Sequence, residues 1–160
     1  MSFYEEALAL QPTLVQWRRA FHQHAEGGYD LPHTLTLIRD VLNAHHVSFF
    51  EPCPSTLVAD IGKGPAGMIL RADMDALLME EKSGLPFSSE TDFAHTCGHD
   101  FHTAMLLGAA CLLQAHADEL PARTRLIFQP DEENITGARQ LIAHNVVTPD
   151  FKGGFALHMS

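Results

Sequence analysis

Positive charge is scarce in this chain of 160 residues: Lys and Arg number 10 against 20 Asp and Glu, for a formal net charge of -10. A surface of that sign repels phosphate backbones, and no basic cluster or recognisable nucleic-acid motif offsets it. Nucleic acid is therefore excluded as a partner, and so is polybasic attachment to a membrane. Long apolar runs are missing too. The longest, Ala104 to Leu113, is too short to span a bilayer and reads as a buried helix. The start, Met1-Ser2-Phe3-Tyr4-Glu5-Glu6, turns acidic where a signal peptide would be cationic and then apolar, which argues against export. Cysteine is sparse and odd in number: Cys53, Cys97 and Cys111. Without an export signal these do not read as a disulfide framework, and reduced thiols in a cytoplasm are the expectation. Internal repeats and low-complexity linkers are also lacking, and the length suits one soluble domain with a buried core.

What is present alternates between two textures. Ser2 followed by Glu5 forms a capping-box pattern, and Phe3, Ala7, Leu10, Leu14, Trp17 and Phe21 recur at three- and four-residue steps, predicting a helix that buries one face. Pro12 is expected to kink or restart it. A second helix is predicted over 35–44, with Leu35, Ile38, Val41 and Leu42 on one side. Short runs rich in branched and aromatic residues at 47–50, 56–61 and 68–72, separated by Pro or Gly, predict strands. The Ala/Leu-rich stretch 103–116 predicts a helix, 124–128 a strand stopped by Pro130, 137–143 a helix and 155–157 a strand. This alternation predicts an α/β fold, a largely parallel mixed sheet flanked by helices.

The polar clusters fall at telling places on that map. Between His95 and His102, three imidazoles, a thiol and a carboxylate crowd eight residues, His95-Thr96-Cys97-Gly98-His99-Asp100-Phe101-His102. Thiolate and neutral imidazole together suit a borderline-soft divalent ion such as zinc or a related transition metal. The strand ending at Ala72 delivers Asp73 and Asp75, the one ending at Phe128 delivers Asp131, Glu132 and Glu133, and the one ending at Leu157 delivers His158. Ligands of open α/β sheets gather beyond the carboxyl ends of strands, so these pieces are expected to converge on one rim. A divalent ion held there polarises a carbonyl oxygen and acidifies water, and a further base must take the proton. Glu132 and Glu133 suit a division of labour, because neighbours in extended backbone point in opposite directions: one binds metal and the other faces substrate.

Several of these stretches, taken in order, resemble one family. Arg71-Ala72-Asp73-Met74-Asp75-Ala76-Leu77, Thr96 to Gly108 with its Cys97-Gly98-His99-Asp100-Phe101-His102 core, Phe128-Gln129-Pro130-Asp131-Glu132-Glu133 and Leu157-His158 are similar to motifs of the M20 metallopeptidases. The amidohydrolase branch, with its N-acyl-amino-acid, hippurate and auxin-conjugate hydrolases, is the nearest match. Arg18-Arg19-Ala20-Phe21-His22-Gln23-His24-Ala25-Glu26 also looks like that branch's opening helix. The resemblance spans nearly the whole chain. It implies a zinc-peptidase-like catalytic domain and a site for two divalent ions, zinc or manganese, with nickel and cobalt as further candidates. Cys97, His99, Glu133 and His158 would be ligands and Glu132 the general base. By the same resemblance Asp75 would orient a ligand from behind; from their places beside the ligands, Asp100 and His102 are read as supporting them too, with a cap of the following helix as the plain reading of Asp100. The substrate implied is a small N-acyl amino acid or short peptide.

The departures are equally specific. Family members continue past the Leu157-His158 motif into a lid and dimerisation domain and then a C-terminal catalytic portion. Residues 1–160 are thus read as the N-terminal portion of the catalytic domain, without the lid, the last ligand histidine or the lid histidine. The expectation is impaired turnover, self-association or a complementing C-terminal chain. The alternatives are a non-catalytic remnant that binds metal or a partner, and one half of a split enzyme. Ala25 stands where the family usually has Pro, and Asp131 where it usually has Ala. Outside the motifs the plain readings prevail. Cys111 inside an apolar helix is core, and His22, His24, His33, His45, His46, His116 and His144 are read as solvated or locally hydrogen-bonded. His95 is intermediate between those and the ligands, and Asp73 is read as a strand terminator.

Overall fold

The structure is a computed structural model and describes residues 2–159. Its elements run α1 (Phe3–Gln23), α2 (Pro32–Ala44), β1 (Phe49–Phe50), β2 (Leu57–Ile61), β3 (Ala66–Asp73), β4 (Leu77–Leu78), β5 (Phe93–Ala94), α3 (His99–Ala115), β6 (Arg123–Gln129), α4 (Gly137–Ala143) and β7 (Gly153–Ala156). Five strands form one sheet in the order β1-β2-β6-β3-β7, and β4 and β5 form a separate hairpin. β3 lies parallel to both of its neighbours, β6 and β7, while β1 and β2 add an antiparallel side. The three parallel strands therefore end on the same rim.

Side chains alternate across this sheet and sort into two layers. Leu57, Ala59, Ile61, Ala72, Leu126 and Phe128 join residues of α1, α2 and α3 in the larger core. Val58, Ile69 and Ile127 point the other way, to Leu141 of α4 and to Val146 and Phe151. That period-2 division makes a three-layer α/β/α sandwich. Among the described residues no helix is long and apolar enough to cross a membrane.

Three expectations need correction. α1 is one uninterrupted helix that contains Pro12, capped by a reciprocal box in which Ser2 accepts the Glu5 N–H and the Glu5 carboxylate accepts the Ser2 N–H. The helix therefore does not restart at Pro12, which lies with Leu8 on its exposed side. α3 begins at His99, four residues before Thr103, which puts His99, Asp100 and His102 in its first turn and not in a loop. Gly98 makes this early start possible by taking φ 84° at the cap, a left-handed value that costs glycine little. Finally, Glu132 and Glu133 lie in a turn and not in extended backbone. The β4–β5 hairpin had no periodic signal to announce it.

Candidate metal centre

Parallel strands and a helix start bring the separate motifs together. β3 ends at Asp73 and leads through buried Met74 to Asp75, β6 leads to Glu132 and Glu133, and β7 leads to His158. All of them meet α3 at its N-terminal turn. His99, with no exposed surface, is the hub: it belongs to three groups whose donor atoms lie within 4.8 Å of one another. These are Cys97, His99 and His158; His99, Glu132 and Glu133; and Asp73, His99 and His102.

The hydrogen bonds fix which nitrogen His99 offers. Its Nδ1–H donates to the backbone carbonyl of Asp75 at 2.7 Å, which leaves the Nε2 lone pair facing the acids. From Nε2, one oxygen each of Asp73, Glu132 and Glu133 lies 3.7 Å away. His158 is held the same way: its Nδ1–H donates to the Met159 carbonyl at 2.6 Å, and its Nε2 sits 3.4 Å from the Cys97 sulfur. Asp75 works at both ends. While its carbonyl orients His99, its buried carboxylate accepts the backbone N–H groups of Glu132 at 2.9 Å and Glu133 at 3.1 Å. Anchored so, with Asp131 at φ 54° turning the chain, both glutamates project to the same point, contrary to the divergent pair expected. They differ in exposure: the Glu132 side chain is 39% exposed and that of Glu133 20%.

Two polar atoms at this meeting point, His99 Nε2 and Glu133 Oε1, are buried with no hydrogen-bond partner. Orphans of that kind are rare in native proteins and call for a missing partner. Electrostatics says what sign that partner has. Burial raises the Cys97 thiol, and the carboxylates of Glu133, Glu132 and Asp73 raise it further, to about 11. Burial alone would lower the pKa of His99, but the hydrogen bond to Asp75 and the charges of Asp73 and Asp75 outweigh it and raise it. Both shifts report a pocket that favours positive charge. Four-coordinate zinc with arms of about 2.0–2.3 Å needs donors roughly 3.3–3.8 Å apart, and the 3.4 and 3.7 Å spacings match. The residues present fit a divalent cation.

The supporting residues take individual roles. His102 does not face the glutamates; its Nδ1–H donates to Asp73 Oδ1 at 2.5 Å and its Nε2 accepts the Met159 N–H at 2.9 Å. Asp100 turns away from the centre toward α1, where it forms an ion pair with Arg18, Nε to Oδ2 2.6 Å, and accepts from His22 Nδ1 at 2.7 Å, besides the Phe101 N–H. His22 is accordingly buried between Asp100 and Glu81, not solvated. His95 is buried without a hydrogen bond to either ring nitrogen, and burial drives its pKa down to about 4. Asp131, 3% exposed, spends its carboxylate on Asn134 and Thr136. Cys53 and Cys111 are buried free thiols in the two apolar layers. Asp73 was missed as more than a strand terminator. Burial tends to raise its pKa, yet the hydrogen bond from His102 and the charges of His99 and Arg71 bring it below the ordinary carboxylate value. The signal available was its spacing: Asp73 and Asp75 stand two apart where a buried strand ends, and so project to one side.

This fold and this converging donor set are those of a metal-dependent peptidase-type domain. The model of peptidase family M20/M25/M40 matches residues 69–160, and the chain belongs to that family. It is 44% identical over 138 residues to N-acetyl-L-cysteine deacetylase of Bacillus subtilis, covering 83% of this chain and 33% of that one. Against IAA-amino acid hydrolase ILR1-like 4 of Arabidopsis thaliana the figures are 40% over 150 residues, 92% and 34%. The crystal structure of the Bacillus subtilis YXEP protein, described as a dinuclear metal binding peptidase from the M20 family, superposes with a TM-score of 0.88 at 34% identity, covering 95% of this chain and 44% of that one. The chain thus spans about a third of the length of the curated relatives it matches.

Proposed function

We propose that residues 1–160 are the N-terminal portion of the catalytic domain of a metal-dependent amidohydrolase acting on small N-acyl amino acids or short peptides. The observation that carries this reading is the pair of buried, unpartnered donors, His99 Nε2 and Glu133 Oε1, amid five further metal-capable groups. Cys97, His99, Glu133 and His158 would hold two divalent ions, with zinc and manganese first among the candidates and nickel or cobalt after them. Bound there, the ions supply a Lewis acid for the acyl carbonyl and lower the pKa of water. Glu132, the more exposed of the two glutamates, takes the proton from the attacking water and passes it to the departing amine. Asp75 keeps both glutamates and His99 in register. A reducing cytoplasm belongs to this reading, since the Cys97 thiol must stay reduced to act as a donor.

A second reading has an observation of its own. All four residues of β7 are exposed and, among the described residues, its outer edge is unpaired, which favours a chain that turns over only when a complementing C-terminal polypeptide covers that edge. The test is metal content of the purified chain, followed by an assay on a panel of N-acyl amino acids, alone and with the C-terminal portion of a relative. Glu132→Gln should keep the metal and lose about 10²–10⁴-fold in rate wherever turnover is found. Glu133→Gln should weaken metal binding itself. The reverse pattern, or no bound metal in the unmodified chain, would refute the assignment.

A further inference from the structure

His102 lies one helical turn beyond His99, so its side chain faces the same rim without competing for the same point. Its two hydrogen bonds are directional and opposite. Nε2 accepts the Met159 N–H at 2.9 Å, so the ring proton is on Nδ1, where Asp73 Oδ1 receives it at 2.5 Å. Asp73 is itself fixed by Arg71 at 2.6 Å. On the far side, the Met159 carbonyl accepts the Nδ1–H of His158 at 2.6 Å. One peptide residue therefore joins the two histidines: Asp73 orients His102, His102 holds the Met159 amide, and the Met159 carbonyl fixes the tautomer of His158. The end of that chain is His158 Nε2, turned to Cys97. Gly98 gives this segment its seat. A Cβ there would lie 2.9 Å from the Met159 Cβ, so only glycine lets the post-β7 backbone rest on the start of α3.

We infer that His102, with Asp73 behind it, is the positioning residue that delivers His158 to the metal centre, acting through the Met159 peptide and not as a ligand. His158 is otherwise poorly anchored: it is exposed, it follows the exposed strand β7, and the last register pair of that strand, Ala156 with Arg71, lies two residues before it. Without the clamp, its ring would have no reason to dwell beside Cys97. This inference rests on the proposed ligand role of His158, and the test separates the two.

The probe is cobalt(II), read by its visible spectrum and thiolate charge-transfer band, with affinity from competition against a chelator. His158→Ala establishes the contribution of that ligand. A glutamine at 102 keeps an acceptor where Nε2 stood, whereas asparagine keeps a donor toward Asp73 and loses the acceptor. We expect His102→Asn to weaken cobalt binding by about 10–100-fold, the usual cost of losing a group behind a ligand, and to give the spectrum of His158→Ala. His102→Gln should restore most of the affinity. In the double variant His102→Asn/His158→Ala the two losses should not add, because both remove one ligand. Backbone amide spectra of each variant confirm the fold. Additive losses, or equal losses for Asn and Gln in folded protein, would overturn the clamp while leaving the centre intact. Unchanged binding in His158→Ala would overturn the ligand assignment and the clamp together.

Discussion

Replacing Asp75 by asparagine tests the anchoring of the catalytic turn with the least change in shape. The carboxylate is fully buried and accepts two backbone N–H bonds, from Glu132 at 2.9 Å and Glu133 at 3.1 Å. Asparagine keeps one acceptor and turns an NH2 group toward the other amide. A hydrogen bond to a charged acceptor is worth about 1.5–3 kcal/mol, and a stranded buried N–H costs about 1–3 kcal/mol. Removing one negative charge from a pocket shared with Asp73, Glu132 and Glu133 offsets part of that loss. The net expectation is a destabilisation of about 2 kcal/mol in the metal-free protein, or a fall in Tm of about 4–8 °C for a chain of this size. Urea unfolding with a chelator present, followed by amide spectra, measures it. Metal affinity should fall as well, since Glu133 loses its tether. A change below about 0.5 kcal/mol, or a stabilisation, would mean that the charge repulsion in the pocket outweighs the hydrogen bonds.

Further consequences are open to direct measurement. Replacing both Cys97 and His99 by Ala should abolish metal binding, and unchanged stoichiometry by elemental analysis would move the site elsewhere. Because the Cys97 thiol is raised to about 11 by burial and by Glu133, Glu132 and Asp73, a thiolate donor must displace a proton. Affinity should drop by about tenfold for each pH unit from 8 to 6, and a flat profile in isothermal titration would rule out thiolate coordination. Burial tends to raise Glu81, but hydrogen bonds from Ser83, the Ser89 backbone and His22 hold it at about 2. A depressed folded pKa contributes stability that is complete above the ordinary 4.5 and is lost as pH falls toward 2. The urea midpoint of Glu81→Gln should therefore lie below that of the unmodified chain at pH 6 and approach it near pH 3; a constant gap would contradict this. The outer edge of β7, unpaired among the described residues, with Phe155 63% and the following Leu157 68% exposed, should drive self-association. Sedimentation showing only monomer across a wide concentration range, unaltered by Leu157→Glu, would count against it.

Local chemistry made the elements and the donor types legible in the sequence. Periodic apolar residues placed α1, α2 and α3 and the alternating strands, since burial of one face has a period that the chain itself displays. Cys97-Gly98-His99 announced a soft-metal donor set, because the ligands lie two residues apart and need no tertiary partner to be recognised. Asp75, Glu132, Glu133 and His158 were legible only through their place at strand ends and the family motifs. Tertiary structure decided the rest. Whether Glu132 and Glu133 diverge or converge depends on a carboxylate 57 and 58 residues away accepting their amides, and no local pattern contains that. His22 reads from the sequence as solvated or locally hydrogen-bonded because its partner Asp100 is 78 residues distant. The early start of α3 hung on the left-handed backbone of Gly98, and the link from Asp73 through His102 and Met159 to His158 joins the end of β3, the first turn of α3 and the segment after β7, which come together only once β7 pairs with β3 and α3 packs against the sheet. A sequence carries the donors and the periodicities, whereas the directions in which donors point are set by hydrogen bonds between residues far apart in the chain, and those exist only once the sheet has formed.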